Sequence, residues 1–210
     1  MITQLLLIIS LITNVHAFGT KPKPVASPSP APTPSETYSG PPEGLPDDVP
    51  MNIQFSPITN YGPRETENLK AAERLANVVV QSACFEKFMV ARKMIQMNGK
   101  TRQQVVDHLK SSKLTVPVTM YYSSKNVIGY RSPPSPVVHT NRKYHGVNSG
   151  KSDRYRASNL THEWSHVLGY EHDFHATSSR PYSVPYSITA AFNACMTCKT
   201  LKQCELVQPK

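Results

Sequence analysis

Three histidines within one short segment have the spacing expected of ligands to a single metal ion. His162 and His166 are four positions apart, so on an α-helix they project from the same face, one turn apart. Gly169 can end that helix in a left-handed turn and bring His172 to the same point. Three imidazoles leave one position of a tetrahedral Zn²⁺ open for water, as in catalytic rather than structural sites. The segment therefore predicts a catalytic zinc site.

Glu163 supplies the proton acceptor that a hydrolytic zinc site needs. It directly follows His162, so it projects near the metal and can take a proton from the zinc-bound water. Zinc lowers the pKa of that water from roughly 16 to about 7, which makes the transfer feasible at neutral pH. The expected reaction is peptide-bond hydrolysis, with Glu163 as general base and then general acid. Two alternatives stay open: a structural or inert zinc, and His175 instead of His172 as the third ligand.

The order of these residues resembles the signature of the metzincin metallopeptidases, His-Glu-x-x-His-x-x-Gly-x-x-His. The resemblance implies that His162, His166 and His172 bind Zn²⁺, that Glu163 is the catalytic base, and that the substrate is a protein or peptide. It is specific over residues 161–186 and only architectural elsewhere. The fold that it implies is α+β: a small twisted sheet with two long helices, and a short irregular lower subdomain that ends in a helix.

The sequence departs from the metzincin pattern at the methionine-containing turn that these enzymes place below the zinc. Residues 182–186 have suitable flanks, but Val184 or Pro185 occupies the methionine position. Met196 is a weaker match because it falls within a helix predicted from about residue 188. With Val184 at the methionine position, Tyr186 falls where some metzincins place a tyrosine that contacts the zinc or the oxyanion. Tyr186 is therefore a candidate catalytic residue, with packing beneath the site as the alternative.

The elements that must position the site fit one domain over residues 51–210. Residues 65–97 predict one long core helix, because they contain no Gly or Pro and are followed by an Asn-Gly stop. Thr101 and Gln104 form the capping-box signature of a second, short helix that reaches about residue 110. The histidine-bearing helix begins near Ser152 or Asp153.

Segments rich in β-branched and aromatic residues predict three strands, at residues 114–122, 127–130 and 137–140. Prolines at positions 133, 134 and 136 come just before the third segment and cannot donate ladder hydrogen bonds. The third strand is therefore predicted at the sheet edge. A substrate peptide is expected to pair along it as an added strand.

The N-terminal part of the chain has the composition of an export signal followed by a spacer. Residues 1–17 contain a short apolar run at 5–13 and end in the small residue Ala17, which suits cleavage. Residues 18–50 are rich in proline and predict an extended, semi-rigid spacer. A short inhibitory propeptide carrying Asp47 and Asp48 is the alternative. We expect a secreted protein, extracellular or periplasmic, without a transmembrane segment.

The formal net charge of +9 favours anionic partners such as a cell envelope. Nucleic acid is not an expected partner, because the Lys and Arg residues are scattered and no nucleic-acid-binding motif is present. A monomer is the expected state.

Four cysteines in an exported protein predict two disulfides. Cys195 and Cys198 lie one turn apart on the closing helix, whereas Cys204 lies beyond it. The favoured pairs are Cys84 with Cys195 and Cys198 with Cys204. Pairing of Cys84 with Cys198 or Cys204 stays open, as does a redox or metal-binding role for the Cys-x-x-Cys pair.

Overall fold

The computed structural model describes residues 49–196, so the predicted signal peptide, nearly all of the spacer and the Cys198–Cys204 pair lie outside the described residues. The described part has the predicted α+β fold, with a small mixed sheet and several helices. Its elements in chain order are β1 (Ile53–Thr59), α1 (Pro63–Gln81), α2 (Ala83–Ala91), α3 (Arg102–Ser111), β2 (Leu114–Tyr121), β3 (Gly129–Arg131), β4 (Val138–Asn141), α4 (Arg142–His145), α5 (Asp153–Val167), a 3₁₀ turn (Arg180–Tyr182) and α6 (Val184–Cys195).

The sheet has the strand order β1-β2-β4-β3, with β1, β2 and β4 parallel and β3 antiparallel to β4. Strand β4 therefore has a neighbour on both sides, and the prediction that residues 137–140 form an edge strand is wrong. The prolines at positions 133, 134 and 136 precede β4 without interrupting it, so its backbone keeps the donors that two neighbours require. The edge strand that packs against α5 is β3.

Strand β1, which the sequence reasoning missed, forms the opposite edge of the sheet. Ile53 and Phe55 alternate into the core, but Pro57 then interrupts the period-two pattern. Asn77 of α1 fixes the strand from within the core. Its Oδ1 accepts from the backbone N–H of Asn52 and of Ile53, and its Nδ2 donates to the Ile53 carbonyl, each at 2.8 Å.

The single long helix predicted over residues 65–97 is wrong, because the chain forms α1 and α2 with a break at Ser82. The Ser82 hydroxyl donates to the Val79 carbonyl and accepts from the Phe85 N–H, at 2.7 and 3.1 Å. A serine side chain that serves the backbone in this way ends one helix and caps the next. Cys84 consequently lies in the first turn of α2.

The helices predicted around the site agree better with the structure. The Thr101 and Gln104 capping box at the start of α3 is confirmed. Ser152 caps α5, and Gly169 follows this helix with a φ of 89°. Helix α6 begins at residue 184 rather than near 188, because Pro185 is favourable in the first turn of a helix.

The core lies between the helices and one face of the sheet. Its largest fully buried side chains include Trp164 of α5, Phe85 of α2 and Phe192 of α6. A disulfide joins Cys84 to Cys195, with 5.8 Å between the Cα atoms, so it ties α2 to α6. The favoured pairing of Cys84 is thereby confirmed. Within the described range, no helix is long and apolar enough to cross a membrane.

Candidate metal centre

Helix α5 carries two of the three histidines on its buried side. His162 and His166 are 8% and 7% exposed, and their ring centroids lie 5.2 Å apart. Leu160 and Trp164, which alternate with them along the helix, are fully buried in the core. The apolar side chains therefore fix the rotation of α5 about its axis, and this rotation aims both imidazoles at the same point.

The turn after α5 brings in the third histidine. Gly169 takes the left-handed conformation, and the Tyr170 N–H then donates to the Ser165 carbonyl at 3.1 Å. The Tyr170 ring is fully buried, which anchors the turn in the core. Nε2 of His172 lies 3.3 Å from Nε2 of His162 as a result. His175, the rival third ligand, is exposed and is not part of the cluster.

His162, His166 and His172 each offer a ring nitrogen, and these nitrogens all lie within 4.8 Å of one another. The three residues could therefore hold a metal ion, as their spacing predicted. An all-imidazole donor set suits divalent ions such as zinc, copper, iron or nickel better than calcium or magnesium.

The Nδ1 atom of each imidazole is held by an oxygen acceptor. His162 Nδ1 lies 3.3 Å from the Thr189 hydroxyl, His166 Nδ1 lies 2.6 Å from the Tyr170 carbonyl, and His172 Nδ1 lies 3.1 Å from the Asp173 carbonyl. The two carbonyls only accept, and the Thr189 hydroxyl donates its proton to the Pro185 carbonyl, so Nδ1 carries the proton in each ring and Nε2 presents its lone pair to the centre of the cluster. Lone pairs in such proximity repel one another unless a cation lies between them, so the donor set fits a metal.

The electrostatics of the cluster favour neutral rings. Burial, followed by the neighbouring imidazoles, holds the pKa of His162 well below its ordinary value. Burial first, and then His172, lowers the pKa of His166 to about 4. Burial also lowers the pKa of His172. Neutral imidazole is the form that binds metal, so the site is prepared for a cation.

Glu163, the predicted base, lies beside the cluster and is 4% exposed. Burial, with a smaller contribution from Glu171, raises the pKa of its carboxyl group to about 8. A hydrogen bond from Asn159 Nδ2 to Glu163 Oε1, at 3.4 Å, acts in the opposite direction. Strand β3 approaches so closely that a Cβ atom at Gly129 would lie 3.3 Å from Glu163 Cγ.

The segment predicted to replace the methionine turn lies next to the histidines. The ring of Tyr186 lies 5.0 Å from the rings of both His162 and His172. Val184 is fully buried, and the Pro185 carbonyl accepts a hydrogen bond from the Thr189 hydroxyl at 3.3 Å. The guanidinium of Arg180 stacks over Tyr186, with its Cζ 4.9 Å from the ring centroid.

A cleft of about 610 Å³ opens over the cluster. Strand β3 forms one wall, and Phe174 and Arg180 contribute to the cleft from the chain after His172. The described chain thus brings the five predicted site residues to one cleft. Sequence reasoning missed Gly129 and Asn159, which lie next to Glu163, and His145, which hydrogen-bonds to Asn159. Of these, only Asn159 carried a usable signal, because it lies one helical turn before Glu163.

Comparison with known proteins found no matching protein-family model, no matching curated protein and no matching solved structure.

Proposed function

We propose that the chain is a secreted zinc-dependent endopeptidase of the metzincin type. The observation that supports this most strongly is the convergence of three neutral imidazoles beside a buried carboxyl group, at the floor of a 610 Å³ cleft. His162, His166 and His172 are the proposed ligands, and three nitrogen ligands suit a catalytic zinc. The Cys84–Cys195 disulfide is compatible with an oxidising compartment.

The residues of the chain divide the chemistry between binding and proton transfer. Bound to the three imidazoles, Zn²⁺ would supply Lewis acidity that polarises the scissile carbonyl and acidifies a water molecule. The oxygen acceptors on Nδ1 fix each ring in the tautomer that leaves Nε2 free. Glu163 takes the proton from the attacking water and delivers it to the leaving amine.

The surroundings of Glu163 suit this double role. A general base works best when its pKa lies near the working pH, and burial raises the pKa of Glu163 well above that of an ordinary carboxyl group. A cation held by the neighbouring histidines would lower it again towards neutrality. Tyr186, whose ring contacts two of these histidines, is the proposed donor to the oxyanion.

The substrate is a protein or peptide bound in extended form along β3. This strand lies at the sheet edge and lines the cleft, so a peptide can add to it by main-chain hydrogen bonds. Strand β3, rather than residues 137–140, is therefore the proposed strand for substrate pairing, because β4 already pairs with β2 and β3.

An unbiased cleavage profile on a peptide library, with zinc content measured per chain, tests the proposal. Glu163→Gln is expected to retain zinc and lose cleavage. Glu86→Gln controls for the same substitution away from the cleft, because Glu86 lies on α2 and pairs with Lys110. Equal cleavage by the wild type and Glu163→Gln would disprove the mechanism.

A basic module that binds an anionic cell envelope and holds an inert zinc is the second candidate. The net charge of +9 favours it. One zinc per chain, no turnover of any peptide and salt-sensitive binding to anionic envelopes would together support it over the endopeptidase.

A further inference from the structure

Next to Glu163 lies a chain of two further polar side chains, the half-buried Asn159 and the buried His145. His145, at the end of α4, is 2% exposed, and its Nε2 lies 2.8 Å from Oδ1 of Asn159. Nδ2 of Asn159 donates in turn to Oε1 of Glu163 at 3.4 Å. The three side chains therefore form a continuous path from the protein interior to the base in the cleft.

The direction of the hydrogen bonds in this path follows from the chemistry of the groups. An amide oxygen only accepts, so the His145 imidazole must carry its proton on Nε2 and donate it to Asn159. Burial lowers the pKa of His145 to about 4, which keeps the ring neutral. Once Oδ1 is engaged by His145, the amide of Asn159 has to present its N–H to Glu163. The reverse orientation would place an oxygen against the ionised carboxylate, which is the form in which Glu163 acts as a base.

The packing around Asn159 supports a fixed orientation. Asn159 precedes Glu163 by four residues on α5, so both side chains project from one face of the helix. On the opposite side, a Cβ atom at Gly129 would lie 2.9 Å from Asn159 Oδ1 and 3.3 Å from Glu163 Cγ. A side chain at position 129 would displace both groups, so the backbone of β3 closes the space into which they could turn.

We infer that His145 and Asn159 are positioning residues, which together hold the Glu163 carboxyl group at the orientation needed for proton transfer. This inference rests on the proposed function. A purely structural role for His145 and Asn159 would affect stability and leave the turnover of the folded enzyme unchanged. A positioning role lowers kcat and leaves KM and zinc content near their wild-type values.

The kinetic test compares variants that keep or remove the donor. His145→Gln places an amide N–H near the position of Nε2, whereas His145→Leu and Asn159→Leu remove the hydrogen bonds at similar volume. Loss of an outer partner typically lowers activity by about 10- to 100-fold, so a decrease in kcat of that size is expected for both Leu variants. His145→Gln should restore most of the turnover. Wild-type kcat in folded Leu variants would overturn the inference.

A second measurement does not depend on activity. Long-range ¹H–¹⁵N NMR of the chelator-treated wild-type protein, recorded in alkaline solution where the Glu163 carboxyl group is ionised, reports which ring nitrogen of His145 is protonated. The Nε2–H form is expected, and an Nδ1–H form would overturn the inference even where a Leu variant fails to fold. The proposed function fails separately, if the zinc-loaded wild type cleaves no peptide. If the wild type cleaves and the Leu variants keep its kcat, only the positioning role fails.

Discussion

Glu163 is an ionisable group that the protein buries almost completely at the edge of the cleft. Its pKa is about 8 in the fold, against an ordinary value of 4.5. Above pH 4.5 the unfolded chain loses this proton while the folded chain keeps it, so folding stability falls as the pH rises towards 8. The base therefore destabilises the protein at neutral pH whenever no cation is bound beside it.

Replacement of Glu163 by Gln should accordingly stabilise the chelator-treated protein. The gain should be small near pH 5 and should grow to at most about 5 kcal/mol in the free energy of unfolding near pH 8.5. Urea denaturation at both pH values measures it. Glu86→Gln is the control, because Lys110 lowers the pKa of Glu86 and the substitution should therefore not stabilise the protein as the pH rises. A Glu163→Gln effect that is equal at the two pH values would contradict the burial argument.

Tyr186 can act through its ring or through its hydroxyl group, and Tyr186→Phe separates the two. The phenylalanine keeps the ring against His162 and His172. If the hydroxyl donates to the oxyanion, kcat should fall by about 100- to 1,000-fold, as for loss of one such donor, while zinc content is unchanged. Steady-state kinetics measures this, with Tyr182→Phe as the control. An unchanged kcat would leave Tyr186 a packing role alone.

At the scale of elements, the disulfide joins α2 to the helix that carries Tyr186. It closes a loop across a sequence separation of 111 residues. The chain-entropy estimate for such a loop is about 5 kcal/mol of stabilisation. The double variant Cys84→Ser with Cys195→Ser should lose an amount of this order in chemical denaturation. Ala83→Ser with Ala190→Ser, on the same two helices but outside the disulfide, controls for serine substitution. A loss below 1 kcal/mol, roughly that of a surface substitution, would contradict the prediction.

Asn77 of α1 attaches strand β1 to the helices. This strand lies at the edge of the sheet in the described part of the chain. Asn77→Leu would leave the backbone N–H of Ile53 without its acceptor in the core, whereas the N–H of Asn52 also donates to the Pro50 carbonyl at 3.0 Å. A buried unsatisfied group costs about 1 to 3 kcal/mol, so a loss of that size in unfolding free energy is expected. Gln81→Leu on the same helix removes one half-buried hydrogen bond and should cost less. Equal losses in the two variants would refute this role.

At the scale of the whole molecule, packing around the cleft sets the pH at which the site can hold a cation. The sequence alone predicts that activity falls below about pH 6, near the ordinary histidine pKa of 6.5. Burial lowers the pKa of all three proposed ligands, and that of His166 reaches about 4. Protons therefore compete with the metal only in more acidic solution.

Zinc retention and peptide cleavage should accordingly persist below pH 6 and fail together at about pH 5 or lower. Titration with a zinc-sensitive dye, run in parallel with the cleavage assay, measures both. A strong chelator at neutral pH should abolish cleavage, and added zinc should restore it. Release of zinc with a midpoint at or above pH 6.5, or cleavage that survives the chelator, would contradict the prediction.

The parts of the site that the sequence determined are local. His162, Glu163 and His166 share one helix, whose geometry fixes their relative directions once the helix forms. Gly169 and His172 follow shortly after this helix. The left-handed conformation at Gly169 restricts the direction in which the chain leaves the helix, and hence where His172 can lie. The capping box of α3 was predictable for the same reason, since its partners are three residues apart.

Tertiary structure alone decided the features that join distant parts of the chain. The interior position of β4 depends on β3 folding back against it, which no local pattern encodes. The sequence left three partners open for Cys84, and the packing of α2 against α6 selected Cys195. Gly129 and His145 lie 30 and 14 residues before Asn159, and they meet it only because β3, α4 and α5 converge. Such contacts depend on how whole elements pack, because burial of the shared apolar core, rather than any short-range preference, places them together.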